Sequence, residues 1–429
     1  MPVHTTGNFF CFLLFTFDLP VNLPFFIARR YMLRRKGAFS SFIIRLAIVA
    51  TALSVATMVV SVAIITGFKY EIREKLFSFW GHVHITPFSP NVSTIITPDP
   101  MQLEPRLERQ ILSIPHVTGI SAFAIRPGIV NVNRMMEGIQ LKGVPATYQL
   151  PRSIELEGEK IDYTDTSYSK DILLSQTTAN RLNVKAGDVV QMYFLDPGST
   201  FPRIRKLVVS GVFHTGMDEV DKQYGICDLR LLQRINNWSS TDINGYQVML
   251  DNYKMSDTVS ATIFNNYLSP PLTTNTMTQI FPNIFDWLQL QDVNGQVILI
   301  IMAIVAVMNM AVVLLILIVE QARMVGLLKA QGMTNGAIQK VFLYYAGLIA
   351  GMGILLGNII AFSVYWLQQK TGFLTLSEAS YYVKQVPFRI LWWQPLLVDV
   401  ATLLVCILCM WLPSLYIRRV QPVRVLQFK

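Results

Sequence analysis

Four long apolar runs constrain this chain more than anything else in it. Residues 46–66 contain no charged side chain, and about twenty helical residues match the hydrocarbon thickness of a bilayer. Residues 297–319 are equally free of charge, residues 341–367 follow, and residues 396–417 carry only Asp399. One such run could be a buried soluble helix, but four of them in a chain that is 52% hydrophobic point to a membrane. The spacing is uneven: a mostly polar stretch, residues 68–296, separates the first run from the second, whereas the last three are clustered. The expected fold is an α-helical membrane protein with four transmembrane helices and a large mixed α+β domain between the first and second.

Lysine and arginine set the orientation, because cytoplasmic flanks retain positive charge during insertion. Arg29, Arg30, Arg34, Arg35 and Lys36 precede the first run, Arg323, Lys329 and Lys340 lie between the second and third, and Arg418, Arg419, Arg424 and Lys429 follow the fourth. Both termini and residues 320–340 are then cytoplasmic, while residues 68–296 and 368–395 face the other side. A net charge of +9 and a pI near 9.3 suggest nucleic acid at first sight. The basic residues sit instead where insertion and anionic headgroups place them, so no nucleic-acid partner is implied.

The start of the chain reads as an extension. Residues 9–17 are apolar and Phe-rich, but no basic segment precedes them, no small-residue cleavage site follows, and Asp18 interrupts them. Residues 1–21 are set apart on this ground, with Val21 a candidate translation start. From residue 22 apolar and basic residues interleave to Lys36. That pattern suits a helix lying in the cytoplasmic interface, or else a bare topology signal.

Cys11, Cys227, Cys406 and Cys409 leave one thiol in the outer domain, so no disulfide forms within it. Cys406 and Cys409 lie inside a spanning run and read as packing residues. His82, His84, His116 and His214 have no metal-ligand spacing around them and take structural roles. Asp399 stands alone near the outer interface; Asn309 and Asn358 are amides suited to bonds between helices. No phosphate-binding loop, nucleophile elbow or zinc-protease helix is present. The chain is not expected to be an enzyme, and any energy comes from a partner.

Within the outer domain, residues 105–114 have helical periodicity stopped by Pro115, and residues 175–182 and 229–235 also read as helices. Residues 117–124, 129–132, 139–143, 189–194 and 207–213 are rich in β-branched and aromatic side chains and read as strands. A charged stretch, residues 155–170, suggests a division into two lobes.

Residues 320–340 are more than a simple connection needs. Met324, Leu327 and Leu328 give a short amphipathic helix, Gly332 stops it, and Thr334 caps the next helix. Such a helix can seat in a groove on a soluble partner.

Here a resemblance becomes specific. The block Glu320-x-x-Arg323-x-x-Gly326-Leu327-Leu328-Lys329-Ala330-x-Gly332-Met333, then Ile338 and a closing Arg418-Arg419-x-x-Pro422-x-x-Val425-Leu426, resembles the FtsX/MacB-type permeases of ABC transporters. Ala28-Arg29-Arg30-Tyr31-Met32, Gly67-Phe68 and Leu182-Asn183-Val184-Lys185-Ala186-Gly187-Asp188 are similar to the LolC/LolE branch, the lipoprotein-releasing permeases of Gram-negative bacteria. The resemblance covers nearly all of the chain from Asn22. It implies an inner-membrane permease working as a dimer, with an identical copy or a paralogue. Two copies of a separate LolD-like ATPase bind ATP and Mg, so this chain holds no cofactor or metal of its own. The dimer extracts lipoproteins and hands them to a LolA-like periplasmic carrier. Alternatives within the superfamily are a MacB-like exporter subunit and an FtsX-like regulator that transports nothing.

By the same resemblance Glu320, Arg323, Met324, Gly326, Leu327, Leu328, Lys329, Gly332 and Met333 form the helix that couples to the ATPase. An apolar cleft for acyl chains would be lined by Val55, Met58, Val59 and Val62 with Met302, Val305, Met308 and Asn309, unless these face lipid or other helices. Gly347, Gly351, Gly353 and Gly357 let helices approach closely within the protomer. Residues 195–205, with Pro197, Phe201, Pro202 and Arg203, match the region where the LolC paralogue recruits the carrier, but are shorter. They are either a reduced hook or an ordinary loop.

Overall fold

The computed structural model describes residues 24–28, 38–88, 99–151, 153–196 and 201–414. The extension 1–21, Pro197, Cys11 and the basic tail after residue 414 lie outside these. The chain divides into two compact units. The first comprises residues 1–65, 293–371 and 388–429, and the second residues 66–292 with 372–387.

Helices of the first unit follow the apolar runs. Helix α1 is Ala38–Trp80, with its residues up to 65 in this unit. Three helices are long and apolar enough to cross a membrane: Phe42–Trp80 within α1, Pro282–Glu320 and Asn335–Thr371. The fourth expected span is a helix too, Trp393–Ser414, but its described apolar part, Trp393–Leu408, is shorter than the other three. A buried cluster of Ala47, Met310, Leu314, Ile318, Phe342, Ala346 and Cys406 joins these helices. Gly353 and Gly357 explain their closeness. A Cβ at Gly353 would lie 2.7 Å from Thr51 Cβ, and one at Gly357 would lie 2.8 Å from Val55 Cβ. Gly347 and Gly351 meet nothing within 4 Å, so only half of the glycine pattern serves packing within the protomer. Asp399 is not alone: Asn358 Nδ2 donates to both its oxygens, at 2.9 and 2.8 Å.

The second unit is the mixed domain. Its strands, in chain order, are β1 Val83–Pro87, β2 Met101–Gln102, β3 Val117–Val132, β4 Met135–Val144, β5 Glu155–Gly158, β6 Asp171–Ser175, β7 Val189–Phe194, β8 Arg203–His214, β9 Tyr224–Asp228, β10 Asp242–Ile243, β11 Gly245–Leu250 and β12 Leu272–Thr276. Its helices are α2 Pro105–Leu112, α3 Gln176–Leu182, α4 Asp218–Asp221, α5 Leu229–Ile235, α6 Ser256–Tyr267 and α7 Met277–Ile280. Chain order continues with α8 Pro282–Glu320, α9 Ala322–Ala330, α10 Asn335–Thr371, α11 Glu378–Tyr381 and α12 Trp393–Ser414.

β3 is the axis of this domain. Residues 117–123 pair with β11, residues 124–132 with β4, and residues 129–131 also with β7. The sequence suggested two strands here, residues 117–124 and 129–132; Pro127 and Gly128 lie between them. Neither breaks the strand: Pro127 stands opposite Gln140, and a Cβ at Gly128 would lie 2.8 Å from Met192 Cε and 3.1 Å from the Phe194 ring. Glycine is the residue that lets β7 cross so near. Pairing runs β3, β4, β9, β6, β8, β7 and back to β3, so these six strands close into a ring. The other side of β3 carries β11, β1 and β12 as an open sheet. β3 is thus shared by the ring and the open sheet. Residues 155–158 of the charged stretch form β5, paired to β8.

Alternation sorts the side chains. Ile172 and Leu174 of β6 face one core with Leu141, Val190, Phe194 and Leu207, whereas Leu173 faces another. That second core is built from Val144, Phe213 and Ile226 with the last turns of α1, through Ile72, Leu76, Phe79 and Trp80. Ile72, Leu76 and Phe79 recur at i, i+4 and i+7, the spacing of one helical face.

Candidate functional site

Between α8 and α10 the chain folds into a compact helical connection. Leu317 O accepts from Gln321 N, and Gln321 O from Val325 N, so α9 starts almost at once. Its end is a Schellman motif. Gly332 has φ +87°, Met333 N donates to Leu328 O at 3.0 Å, and Gly332 N to Lys329 O at 3.0 Å. These two bonds satisfy carbonyls that a helix end leaves open, and Met333 and Leu328 both pack on the apolar cluster beneath. Thr334 then opens α10, its Oγ1 accepting from Ala337 N at 3.3 Å. Glycine and threonine stand where the sequence asked for a stop and a cap.

This clamping fixes which face of α9 is free. Val325 and Gly326 are buried, and Met324 and Leu328 are partly buried against the same cluster. Arg323, Leu327, Ala330 and Gln331 are exposed, Leu327 by 52%. Glu320 and Gly332 are exposed at the two ends, Lys329 is half-buried, and Met333 is half-buried. Of the three apolar residues that the periodicity puts on one face, two hold the helix down and Leu327 alone stands outward. The arrangement offers a partner a small knob, Leu327, flanked by the Arg323 guanidinium one turn earlier.

The expected cleft residues divide. Val55, Met58 and Val59 are buried with Ala361 and Val398, and Val62 and Met302 are partly buried on the same cluster. Asn309 Nδ2 donates to Ala47 O at 3.4 Å. Val305 and Met308 are exposed by 46% and 63%. On α1 these residues pack against neighbouring helices, Met58 also lining an apolar cavity with Leu299, Ala303 and Leu397, while α8 keeps an open apolar stripe.

Of the four loop residues, Phe201 is 81% exposed and Pro202 half-buried. Arg203 is tied down. Its Nε lies 2.6 Å from Asp196 Oδ2, and its Nη1 donates to Ile235 O at 2.6 Å and Asn237 Oδ1 at 2.9 Å. Arg126 pairs with the other Asp196 oxygen.

Two charged groups escaped the sequence reading. Lys142 on β4 is fully buried. Its Nζ donates to Phe79 O and to Gln247 Oε1 at 2.8 Å, with the Phe79 and Trp80 rings 4.5 and 4.7 Å away. It caps the C-terminal end of α1, where an ammonium is favoured, although burial pushes it down to about 7. His84 Nε2 lies 2.7 Å from Trp80 O at the same helix end, and burial holds its imidazole at about 3. The second group surrounds His214 and includes Asp221 and Glu378. Among the described residues, no group of three or more His, Cys, Asp or Glu could hold a metal ion.

Comparison with known proteins agrees with this architecture. The FtsX-like permease C-terminal family matches residues 296–422, and the MacB-like periplasmic core domain family matches residues 46–263, half of the chain. The lipoprotein-releasing system transmembrane protein LolE of Haemophilus influenzae is 23% identical over 95% of this chain and 99% of its own length. LolC of Xylella fastidiosa is 20% identical over 94% and 98%. The solved periplasmic region of MacB from Actinobacillus actinomycetemcomitans matches 47% of this chain and 91% of its own, with 12% identity and a TM-score of 0.33. Both family matches and the end-to-end relatives lead to one conclusion: this chain belongs to the FtsX/MacB-type permeases, and within them to the LolC/LolE type.

Proposed function

We propose that this chain is the permease subunit of an ABC transporter that extracts lipoproteins from the inner membrane and passes them to a periplasmic carrier, driven by a separate ATPase. The names of its relatives supply the substrate class. The observation that carries the reading is α9, a helix clamped at both ends whose outward face is Arg323, Leu327 and Ala330. A rigid, nearly bare helix face suits a receiving groove on a soluble partner, and little of its binding energy would be lost in ordering it.

We read four spans with both termini cytoplasmic, a reading that the basic flanks and the length of α12 support. At 22 residues that helix reaches about 33 Å, enough for a bilayer. Energy input is needed because each buried CH₂ of an acyl anchor holds by about 0.8 kcal/mol. On α8 the stripe containing Val305 and Met308 is the surface left for acyl chains or for the second permease copy. Phe201 and Pro202 are the loop residues proposed to meet a carrier, whereas Arg203 braces the hairpin.

The test is depletion with co-purification. Loss of the chain should leave lipoproteins in the inner membrane, and the tagged chain should bring down an ATPase together with a second permease copy. Normal lipoprotein sorting alongside altered behaviour of a periplasmic partner would sink the reading in favour of a non-transporting regulator.

A further inference from the structure

We infer that the cavity between α1, α8 and α12 is a binding site for one acyl chain of a bilayer phospholipid. All of its lining residues belong to the first compact unit. The inference requires only that these helices span a bilayer, and it holds whatever the transported substrate.

The cavity measures about 200 Å³ and is walled by one face of each of two helices. On α8 the wall is Leu299, Ala303 and Ala306, at i, i+4 and i+7; on α12 it is Leu397, Ala401 and Val405, at i, i+4 and i+8. Alanine makes the void. Ala303, Ala306 and Ala401 stop at Cβ on helices whose neighbouring positions carry Ile, Leu and Val. Toward the helix cluster the slot is closed by the buried side chains of Met58, Val398, Thr402 and Cys406. On the opposite side it is open, with Ile300 59% and Leu397 57% exposed at its lip. A surface exposed within spanning segments faces lipid, so the slot opens sideways into the bilayer.

Water does not suit this slot. Among its lining residues Thr402 has the only hydroxyl, and an ordered water needs two or more polar partners. An apolar void of about 150 Å³ stays dry and accepts a guest the size of benzene, so this one takes about eight carbons, a stretch of one chain rather than of several. Left empty, it would forfeit dispersion contacts along every wall, and the nearest apolar material in a bilayer is a lipid tail. Length agrees. From Leu397 to Cys406 the α12 wall runs nine positions, about 13 Å, against about 15 Å for the hydrocarbon of one leaflet. Trp392 and Trp393 are exposed just ahead of Leu397, and tryptophan favours the membrane–water boundary. The slot therefore begins just beneath an interface, where a phospholipid can keep its headgroup in place and lay its tail inward. No charged side chain lines it, so the chain and not the headgroup is recognised. A side chain from a second permease copy would enter crosswise and fill only part of a slot that follows the helices.

The test is native mass spectrometry of the full chain in its assembled complex, reconstituted into vesicles of phosphatidylethanolamine and phosphatidylglycerol and then released into detergent. One phospholipid per copy of this chain should survive the activation that strips loosely held lipid, and it should remain after turnover with ATP and Mg. Ala303→Leu combined with Ala401→Leu fills the slot and should lower retention at least about fivefold. Ala401→Leu alone, at an exposed position, is the milder lesion and should act in the same direction if the double variant fails to assemble. Val312→Leu, on the exposed side of α8 and away from the slot, should change nothing. Absence of a retained phospholipid in the native complex overturns the proposal, as does retention that Ala401→Leu leaves untouched or that Val312→Leu lowers equally. A retained molecule that is sensitive to Ala401→Leu but has the mass of a lipoprotein, or that leaves on turnover, overturns it too and gives the slot to the cargo.

Discussion

The two connections that flank helix α10 are held by opposite means. On one side, α9 is fixed by backbone bonds to Leu328 O and Lys329 O and by apolar contacts of Val325, Leu328 and Met333. On the other, residues 372–387 are tied down by Lys75, His214, Glu219 and Glu155, side chains far away in sequence. The first mode is insensitive to pH and salt and leaves one face clean for a partner. The second is weakened by salt, because its bonds are charged and partly exposed. One connection is thus built from packing and the other from charge.

The comparison breaks most visibly at Leu327. If α9 owes its fold to its buried side and its function to its exposed side, Leu327→Asp should leave the chain folded and weaken ATPase capture by at least about tenfold, since a hot-spot side chain of this size contributes about 2 kcal/mol or more. Met324→Ala should do the reverse, lowering thermal stability first. Co-purification and a melting curve on both variants decide it, and equal capture by Leu327→Asp and the native chain would refute the docking role. The matching lesion in the other connection is Gly216→Val. A β-branched residue at φ +72° in a site with no room for a Cβ costs about 2 kcal/mol or more. It should free residues 372–387 to proteolysis and leave the exchange of α9 unchanged.

This contrast also separates what sequence reveals from what it hides. The stop at Gly332 and the cap at Thr334 are legible because each acts within four residues of itself. The face of α9 is less so: the periodicity of Met324, Leu327 and Leu328 marks an apolar side, but which members are buried depends on Ile338, Phe342 and Ile318 in neighbouring helices. The charged contacts of residues 372–387 are invisible, since Glu378 meets His214 across 164 positions and nothing local marks either. The long reach of α1 is hidden for a related reason. Lys69, Glu71, Arg73 and Lys75 look like the end of a span, yet Ile72, Leu76 and Phe79 keep an apolar face that the mixed domain covers. Lys142 reads as an outward strand residue by alternation, and does face away from the Leu141 core, only to meet the end of α1.

Lys142 extends the charge-held side of the comparison to the domain itself. Its ammonium titrates at about 7 when folded and at 10.5 when unfolded. The unfolded chain then binds more protons between these values, and stability rises with pH across that window by up to about 1.4 kcal/mol per unit. Lys142→Met should flatten this rise in thermal melts of the assembled protein taken from about pH 7 to about pH 10. An unchanged slope would mean that the amine is solvated after all.

The smallest effect is expected within the packing-held connection, and it tests whether the backbone motif or the apolar contacts matter more. Gly332 and Gly336 lie four positions apart, both are exposed, and neither has an atom within 4 Å of its missing Cβ. They differ in conformation: Gly332 sits at φ +87°, whereas Gly336 lies in the first turn of α10. Gly332→Ala should therefore cost about 1 kcal/mol through backbone strain alone, and Gly336→Ala should gain up to about 1 kcal/mol through helix propensity. Exchange at Met333 N, whose bond to Leu328 O closes the motif, should speed up about fivefold in the first variant and hold or slow in the second. Equal responses would show that Val325, Leu328 and Met333 fix α9 by packing alone, with its C-terminal backbone bonds contributing nothing measurable.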